Sequence, residues 1–276
     1  MWNFPYHVAR NRGALIRVIY RALLPTVVSR QIANEEQLDL DVFTYSGEAA
    51  LPEQVASARS FLKFAGRPVS FTIVSDGSYS RRSISLLRKI DPIVRVVPAS
   101  EFLASDVAPE FRAYLANHPT GKQLALILSL PRNRPALYFD SDVLFFPGAR
   151  VISDLRTGTA FYLPDCQFAG DERLLRDSRE KDNPANTGVL LLFRRPNWSI
   201  AFERFRELNG PPNFFTNQTL THLVMQTSGA EPLDAQKFVL QLDDQFELGD
   251  RYAARSIALR HYVNPVRHKF WSSLIR

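Results

Sequence analysis

Cysteine is nearly absent from this chain: Cys166 is the only one in 276 residues. A single thiol excludes an intramolecular disulfide and a cysteine-based structural zinc site, and it fits a reducing compartment. Glycine is scarce, at 12 residues. There is no Gly-x-Gly-x-x-Gly after the first apolar segment and no Gly-Lys-Ser/Thr, so no glycine loop cradles a phosphate. No apolar run reaches the ~18 residues that a membrane-spanning helix needs. Acidic residues are missing from positions 1–34, which carry Arg10, Arg12, Arg17, Arg21 and Arg30. That segment holds five of the six net positive charges. The remainder is close to neutral, which argues against a nucleic-acid partner. What is present, 45% hydrophobic and 22% charged residues, describes a globular protein of one domain with an appendage.

Within the basic segment, Leu15, Val18, Ile19, Ala22 and Leu23 recur at helical spacing, with Arg10, Arg17 and Arg21 opposite. Trp2, Phe4 and Tyr6 precede them. The pattern predicts a basic amphipathic helix within an extension over residues 1–37. Its apolar face either packs on the body or makes a peripheral contact with an anionic membrane through residues 1–30. Arg17 and Arg21 interrupt the apolar stretch and speak against a cleaved signal peptide. The expected location is cytoplasmic, at most peripheral to the inner face of a membrane.

From residue 38 onward the pattern alternates strand and helix. Strands are predicted at Leu38–Tyr45, Val69–Val74, Val94–Val97, Thr159–Leu163 and Gly188–Phe193. Helices are predicted at Leu51–Phe64, Ser80–Ile90, 100–117 and 121–130. Such alternation implies an α/β domain over residues 38–276, its largely parallel sheet covered by helices on both faces. The charged stretch Asp171–Asp182 reads as a mobile loop or lid, or as a solvated helix.

The segment Pro135–Phe146 is apolar except for Asp140, Ser141 and Asp142. On a strand the two carboxylates would project to one side, and so close a pair calls for a divalent cation or a ligand's hydroxyls between them. Thr44 and Tyr45 end the first strand and Asp76 follows the second, at the edge where such sheets bind ligands. Lys122 opens the helix before the Asp segment. Three further segments stand out: Asn183-Pro-Ala-Asn186-Thr-Gly188, Phe214-Phe-Thr-Asn217-Gln218 with Thr216 or Asn217 as a helix cap, and Arg260-His261 through Arg267-His268-Lys269-Phe-Trp271.

In content and order these segments resemble the family 8 glycosyltransferases of the GT-A fold, the group containing glycogenin and bacterial lipopolysaccharide galactosyl- and glucosyltransferases. The resemblance spans about residue 39 to the end of the chain. It implies a GT-A-like nucleotide-diphospho-sugar transferase sheet and transfer of a hexose, from UDP-hexose, with retention of configuration. It implies that Asp140, Asp142 and His261 hold manganese, with magnesium as the alternative. Mixed oxygen and nitrogen donors suit manganese. It places Asn186 beside the donor sugar and Asn217-Gln218 where the family has Asp-Gln, makes Asp142, Asn186 and Gln218 candidate catalytic residues with Asp165, and puts Lys122 and either Arg267 or Lys269 at the diphosphate. The acceptor class is a glycan, a lipid-linked sugar or a small molecule.

The chain departs from the pattern at two places. Asn264 replaces the glycine of the closing motif, with Arg267 at the usual spacing of the basic residue and Lys269 two positions late. Asn217 stands where the family has an aspartate, and an amide is no nucleophile. Front-face substitution is then the expected route, and Asp165 is a spare carboxylate for a base or sugar-binding role, or simply a turn residue. The alternative is a catalytically impaired binding or scaffold protein that still takes the nucleotide sugar. A haloacid-dehalogenase-like phosphatase is disfavoured because Leu144 stands where that motif needs Thr or Val.

Overall fold

The computed structural model describes residues 3–155 and 158–275; Trp2 lies outside them. Two helices, α1 (Phe4–Ala22) and α2 (Leu24–Ser29), precede the first strand, β1 (Gln37–Ser46). Helix α3 (Leu51–Phe64) follows, then β2 (Arg67–Ser75), α4 (Arg81–Arg88) and β3 (Val94–Pro98). Ser80 caps α4, its hydroxyl accepting from Ser83 N. The helix expected over 100–117 is shorter. A 3-10 turn covers Ala99–Phe102, and α5 (Pro109–Asn117) starts at a proline, which suits the first helical turn. Helix α6 (Pro119–Leu128) follows, capped by His118.

The Asp-containing segment is two strands, not one: β4 (Ala136–Phe139) and β5 (Val143–Phe145). The chain continues through β6 (Ala160–Pro164), β7 (Ala185–Leu192), α7 (Ser199–Glu207) and α8 (Thr216–Thr227). It ends with β8 (Glu231–Pro232), β9 (Phe238–Val239), β10 (Leu259–His261) and α9 (Phe270–Leu274). The main sheet runs β3-β2-β1-β4-β7-β6-β8. Its pairings are parallel except where β7 joins β4 and β6 antiparallel. A smaller sheet, β5-β10-β9, stands beside it. This is the expected α/β architecture.

Strand alternation splits the core into two layers. Leu137 and Phe139 of β4 face a cluster with α3 and α4, while Ala136 and Tyr138 face one with α5, α6 and α8. Phe61, Phe139 and Phe145 pack edge and face with centroids 4.8–5.5 Å apart. Phe139 and Phe145 flank the two aspartates, so this aromatic anchor fixes both ends of the turn that carries them.

The Asp171–Asp182 stretch forms two 3-10 turns, Glu172–Leu174 and Ser178–Lys181. Arg176 pairs with Glu203 and Glu207 of α7, Glu180 pairs with Arg204, and His222 of α8 bonds Glu180 O at 2.6 Å. These ties pin the segment to the body.

Helix α1 docks through Tyr6, Ala9, Gly13, Ile16 and Tyr20, a face that the apolar pattern did not single out. Gly13 lies against the carbonyl of His268, where any side chain would collide. The predicted apolar face stays outward, with Leu15 62%, Val18 65%, Ile19 50% and Leu23 50% exposed. Among the described residues no helix is long and apolar enough to cross a membrane.

Candidate functional site

The chain reverses between β4 and β5, where Val143 N donates to Asp140 O at 3.2 Å. Asp140 and Asp142 therefore share one side because of a turn, and not through strand alternation as expected. Neighbouring strands hold the turn: Asp140 N donates to Gly188 O, and Tyr262 N to Asp142 O, each at 2.9 Å.

Strand β10 brings His261 alongside. Its Nε2 lies 3.1 Å from Asp142 Oδ1 and 3.7 Å from Asp140 Oδ2. The ring rests on Gly188, where a Cβ would overlap the imidazole, so the Asn-Thr-Gly segment needs its glycine for this contact. Asp140, Asp142 and His261 offer ligand atoms all within 4.8 Å of one another. His261 Nδ1 is buried without a partner. Arg267 supplies a neighbouring cation by donating to Asp142 Oδ2.

The electrostatics of the cluster are uneven. Burial drives the Asp140 carboxyl up to about 6, with His261 pulling it down and Asp142 pushing it further up. Burial acts on Asp142 in the same direction, but the charge and hydrogen bond of His261 and the guanidinium of Arg267 prevail and lower it to about 2. Burial disfavours the His261 cation, and the two aspartates more than reverse this, raising its pKa. Two carboxylates and one imidazole nitrogen around a common point fit a divalent metal, whose charge offsets what burial penalises.

Gln123 of α6 is the residue that sequence reasoning missed. Its Nε2 donates to Asp140 Oδ1 at 2.8 Å and to Tyr138 Oη at 2.7 Å, while its Oε1 accepts from Asn217 Nδ2 at 2.9 Å. Tyr138 Oη also donates to Asp140 Oδ1, at 2.5 Å. Asn217, 2% exposed, thereby sets which end of the Gln123 amide meets Asp140. The available signal was a glutamine at the head of an otherwise apolar helical run, next to Lys122.

Asn217 and Thr216 do not cap α8. Thr216 is its first residue, and its hydroxyl donates to Asp171 Oδ2 at 2.9 Å. Asp165 Oδ2 accepts from Asn186 Nδ2 at 2.8 Å and from Gln218 Nε2 at 3.3 Å, and Gln218 Oε1 accepts from Thr187 N and Oγ1. Thus Asp165, Asn186 and Gln218 form one polar group at β7 and α8.

On the β1 side, Thr44 Oγ1 and Tyr45 Oη are buried without partners. The Asp76 carboxylate bonds Ser78 N and Oγ, occupying space that Gly47 leaves free. Lys122 Nζ donates to Asp76 O at 3.2 Å. Lys269, expected as one candidate at a phosphate, is wholly buried elsewhere. Its Nζ donates to Glu247 O at 2.9 Å and to Gly249 O, 3.5 Å from Asp244. Arg267, half exposed, is the basic residue that the closing motif brings to the site.

Metal binding requires a neutral His261 and an ionised Asp140. Since the first pKa is raised and the second lies near 6, protons compete as pH falls. Manganese affinity measured calorimetrically is expected to rise from about pH 5.5 to 8 with net proton release, and a flat profile would contradict this ligand set. Asn217→Asp would accept from Gln123 Nε2 and turn its oxygen toward Asp140. The expected loss is about 10- to 100-fold in manganese affinity, and unchanged affinity would remove Asn217 from the support of the site.

No protein-family model and no curated protein sequence matches the chain. Solved structures do. A galactosyltransferase, LgtC, in complex with donor and acceptor sugar analogues aligns with a TM-score of 0.56 and 14% identity over 85% of this chain and 95% of that one. Mouse xyloside xylosyltransferase 1 aligns with a TM-score of 0.51 and 12% identity over 84% of this chain and 99% of that one. The glycosyltransferase GlyE of Streptococcus pneumoniae TIGR4 gives 0.54 and 13% over 87% and 61%. The chain has the GT-A glycosyltransferase fold.

Proposed function

We propose that the protein is a metal-dependent glycosyltransferase that moves a hexose from a nucleotide diphosphate donor, UDP-hexose, to a glycan, lipid-linked or small-molecule acceptor. The observation that carries this reading is the convergence of Asp140, Asp142 and His261, from distant parts of the chain, at the sheet's ligand-binding edge in a glycosyltransferase fold. Those three side chains would hold the metal, manganese by donor type, which supplies charge to the departing diphosphate. Arg267 adds a second positive group and, being half exposed, is free to exchange Asp142 for a donor phosphate. Thr44 and Tyr45, at the carboxyl end of β1, would lie by the nucleoside, with Lys122 tied to the Asp76 carbonyl of the adjoining loop. Asn186 and Gln218, oriented by Asp165, face the sugar.

Asn217 cannot form a glycosyl-enzyme bond, and its amide is engaged with Gln123. With the retention that the resemblance to family 8 enzymes implies, transfer would be front-face: the acceptor oxygen attacks from the side of the leaving group, whose phosphate takes the acceptor's proton. The same amide favours one other reading, a binding protein without turnover.

The outward face of α1 gives the partner reading a physical basis. Leu15, Val18 and Ile19 project away from the body, flanked by Arg10, Arg12 and Arg21, with no acidic residue before Glu35. An apolar stripe rimmed by arginines suits an anionic bilayer, where each cation near the surface contributes about 1 kcal/mol.

Calorimetric titration of UDP is expected to show binding that needs manganese and disappears in Asp142→Ala. Release of hexose from UDP-hexose would then separate a transferase from a binding protein. Metal-independent UDP binding, or none with any nucleoside diphosphate, would sink the reading. In flotation assays, full-length protein is expected to bind phosphatidylglycerol vesicles but not phosphatidylcholine vesicles. The double variant L15S/V18S would lose that binding, and equal flotation of both proteins would refute the membrane contact.

A further inference from the structure

A cavity of about 930 Å³ opens between α2, α3, the segment after β5 and the end of α9. It lies apart from the metal-site cluster and shares none of its residues. Four cationic side chains line it: Arg30 after α2, Arg59 and Lys63 from α3, and Arg255 from the loop before β10. No aspartate or glutamate lines it, and none of the four forms an ion pair among the described residues. Its remaining walls are largely carbon, with Val27, Ile32, Phe64 and Phe146 among them.

This arrangement is costly as it stands. Arg59 and Lys63 are four residues apart on one helix face, where like charges destabilise. Arg59 Nη1 is buried without a hydrogen-bond partner. Burial works against the Arg59 charge, and Arg30 adds to that effect. A half-buried guanidinium with one nitrogen buried and unpartnered, beside three exposed cations, suits an anion, as buried polar groups ordinarily have partners. The carbon-rich walls call for an apolar body attached to it. The phenol of Tyr20, also at the cavity, is a donor whose pKa burial raises, so it remains protonated. A fork-shaped guanidinium, a lysine amine and a phenol suit the several oxygens of a phosphate better than a single carboxylate.

We propose that this cavity binds an anionic amphiphile, with a phosphate head held by Arg59, Lys63, Arg30 and Arg255 and an apolar tail along the Val27, Phe64 and Phe146 wall. The assignment does not rest on the transferase reading, because it uses none of that site's residues.

The test is calorimetric titration of the full chain with dodecyl phosphate below its micellar concentration, beside inorganic phosphate and dodecyl maltoside. Dodecyl phosphate is expected to bind at least about tenfold more tightly than either control, the equivalent of one lost charge contact. Arg59→Gln is expected to weaken it by about tenfold and Lys63→Gln by a smaller factor, while manganese-dependent UDP binding stays unchanged. Lys63 and Arg255 are exposed, so K63Q and R255Q serve should R59Q fail to fold. Equal binding of dodecyl maltoside would reduce the cavity to a hydrophobic cleft. Equal binding of inorganic phosphate would make it a site for free phosphate. Either result, or indifference to all three substitutions, overturns the proposal.

Discussion

The position of His261 depends on its neighbour in β10, Arg260. Successive strand residues point to opposite faces, so where Arg260 is held determines what His261 meets. Arg260 is fully buried. It donates to Asp244 Oδ1 at 2.8 Å, to Asp250 and to Gln241 O at 3.1 Å, with the rings of Tyr252 and Tyr262 each 5.1 Å away. Lys269 joins beside Asp244, so two cations meet two carboxylates and the cluster is neutral. Replacing a whole cluster of this kind with apolar residues is often neutral or stabilising, whereas removing one partner costs about 3–5 kcal/mol. Its geometric effect is definite: with Arg260 opposite Leu144, antiparallel pairing sets His261 opposite Val143, one residue from Asp142.

The same logic explains why the two aspartates behave differently. Both are penalised by burial, but Asp142 has His261 and Arg267 as hydrogen-bonding cations, while Asp140 is bonded by a glutamine amide and a phenol. Neutral donors offset less of the desolvation cost than cations do. One carboxylate is therefore ionised throughout the accessible pH range, and the other titrates near 6. A divalent ion between them would remove the difference, which is a physical reason for such a pair to be a metal site and not a structural turn.

Much of this was legible in the sequence. The strand and helix alternation, the Asp-x-Asp pair, the Asn186-Thr-Gly188 segment and the late histidine were readable from residue order, and the structure brings them together. What failed did so because it depended on direction. Arg267 and Lys269 both lie in the 3-10 turn Asn264–Lys269, where three residues make a turn. Two positions apart, they point to different sides, one to Asp142 and the other to Asp244. Counting along the chain could not choose between them. Helix α1 posed the same difficulty. Its apolar stripe was plain, yet the docking face is set by Ala9 and Gly13, small residues that permit close approach and add little to a hydrophobic pattern. Gln123 escaped notice because an amide at the head of an apolar helix reads as a solvated end.

That 3-10 turn also connects parts of the molecule that are otherwise separate. Three consecutive side chains leave it in three directions: Arg267 to Asp142, His268 to Tyr6 of α1, and Lys269 to the buried charge cluster. The His268 ring meets Tyr6 edge-on at 5.1 Å, and burial beside Lys269 holds its pKa down to about 4, so it packs as a neutral ring. Its carbonyl is the group against which Gly13 fits. The seat of the basic helix and the arginine beside Asp142 are thus both built on this one turn. The departures in the closing motif, a shifted lysine and an asparagine in place of glycine, belong to a segment that must satisfy three neighbours at once.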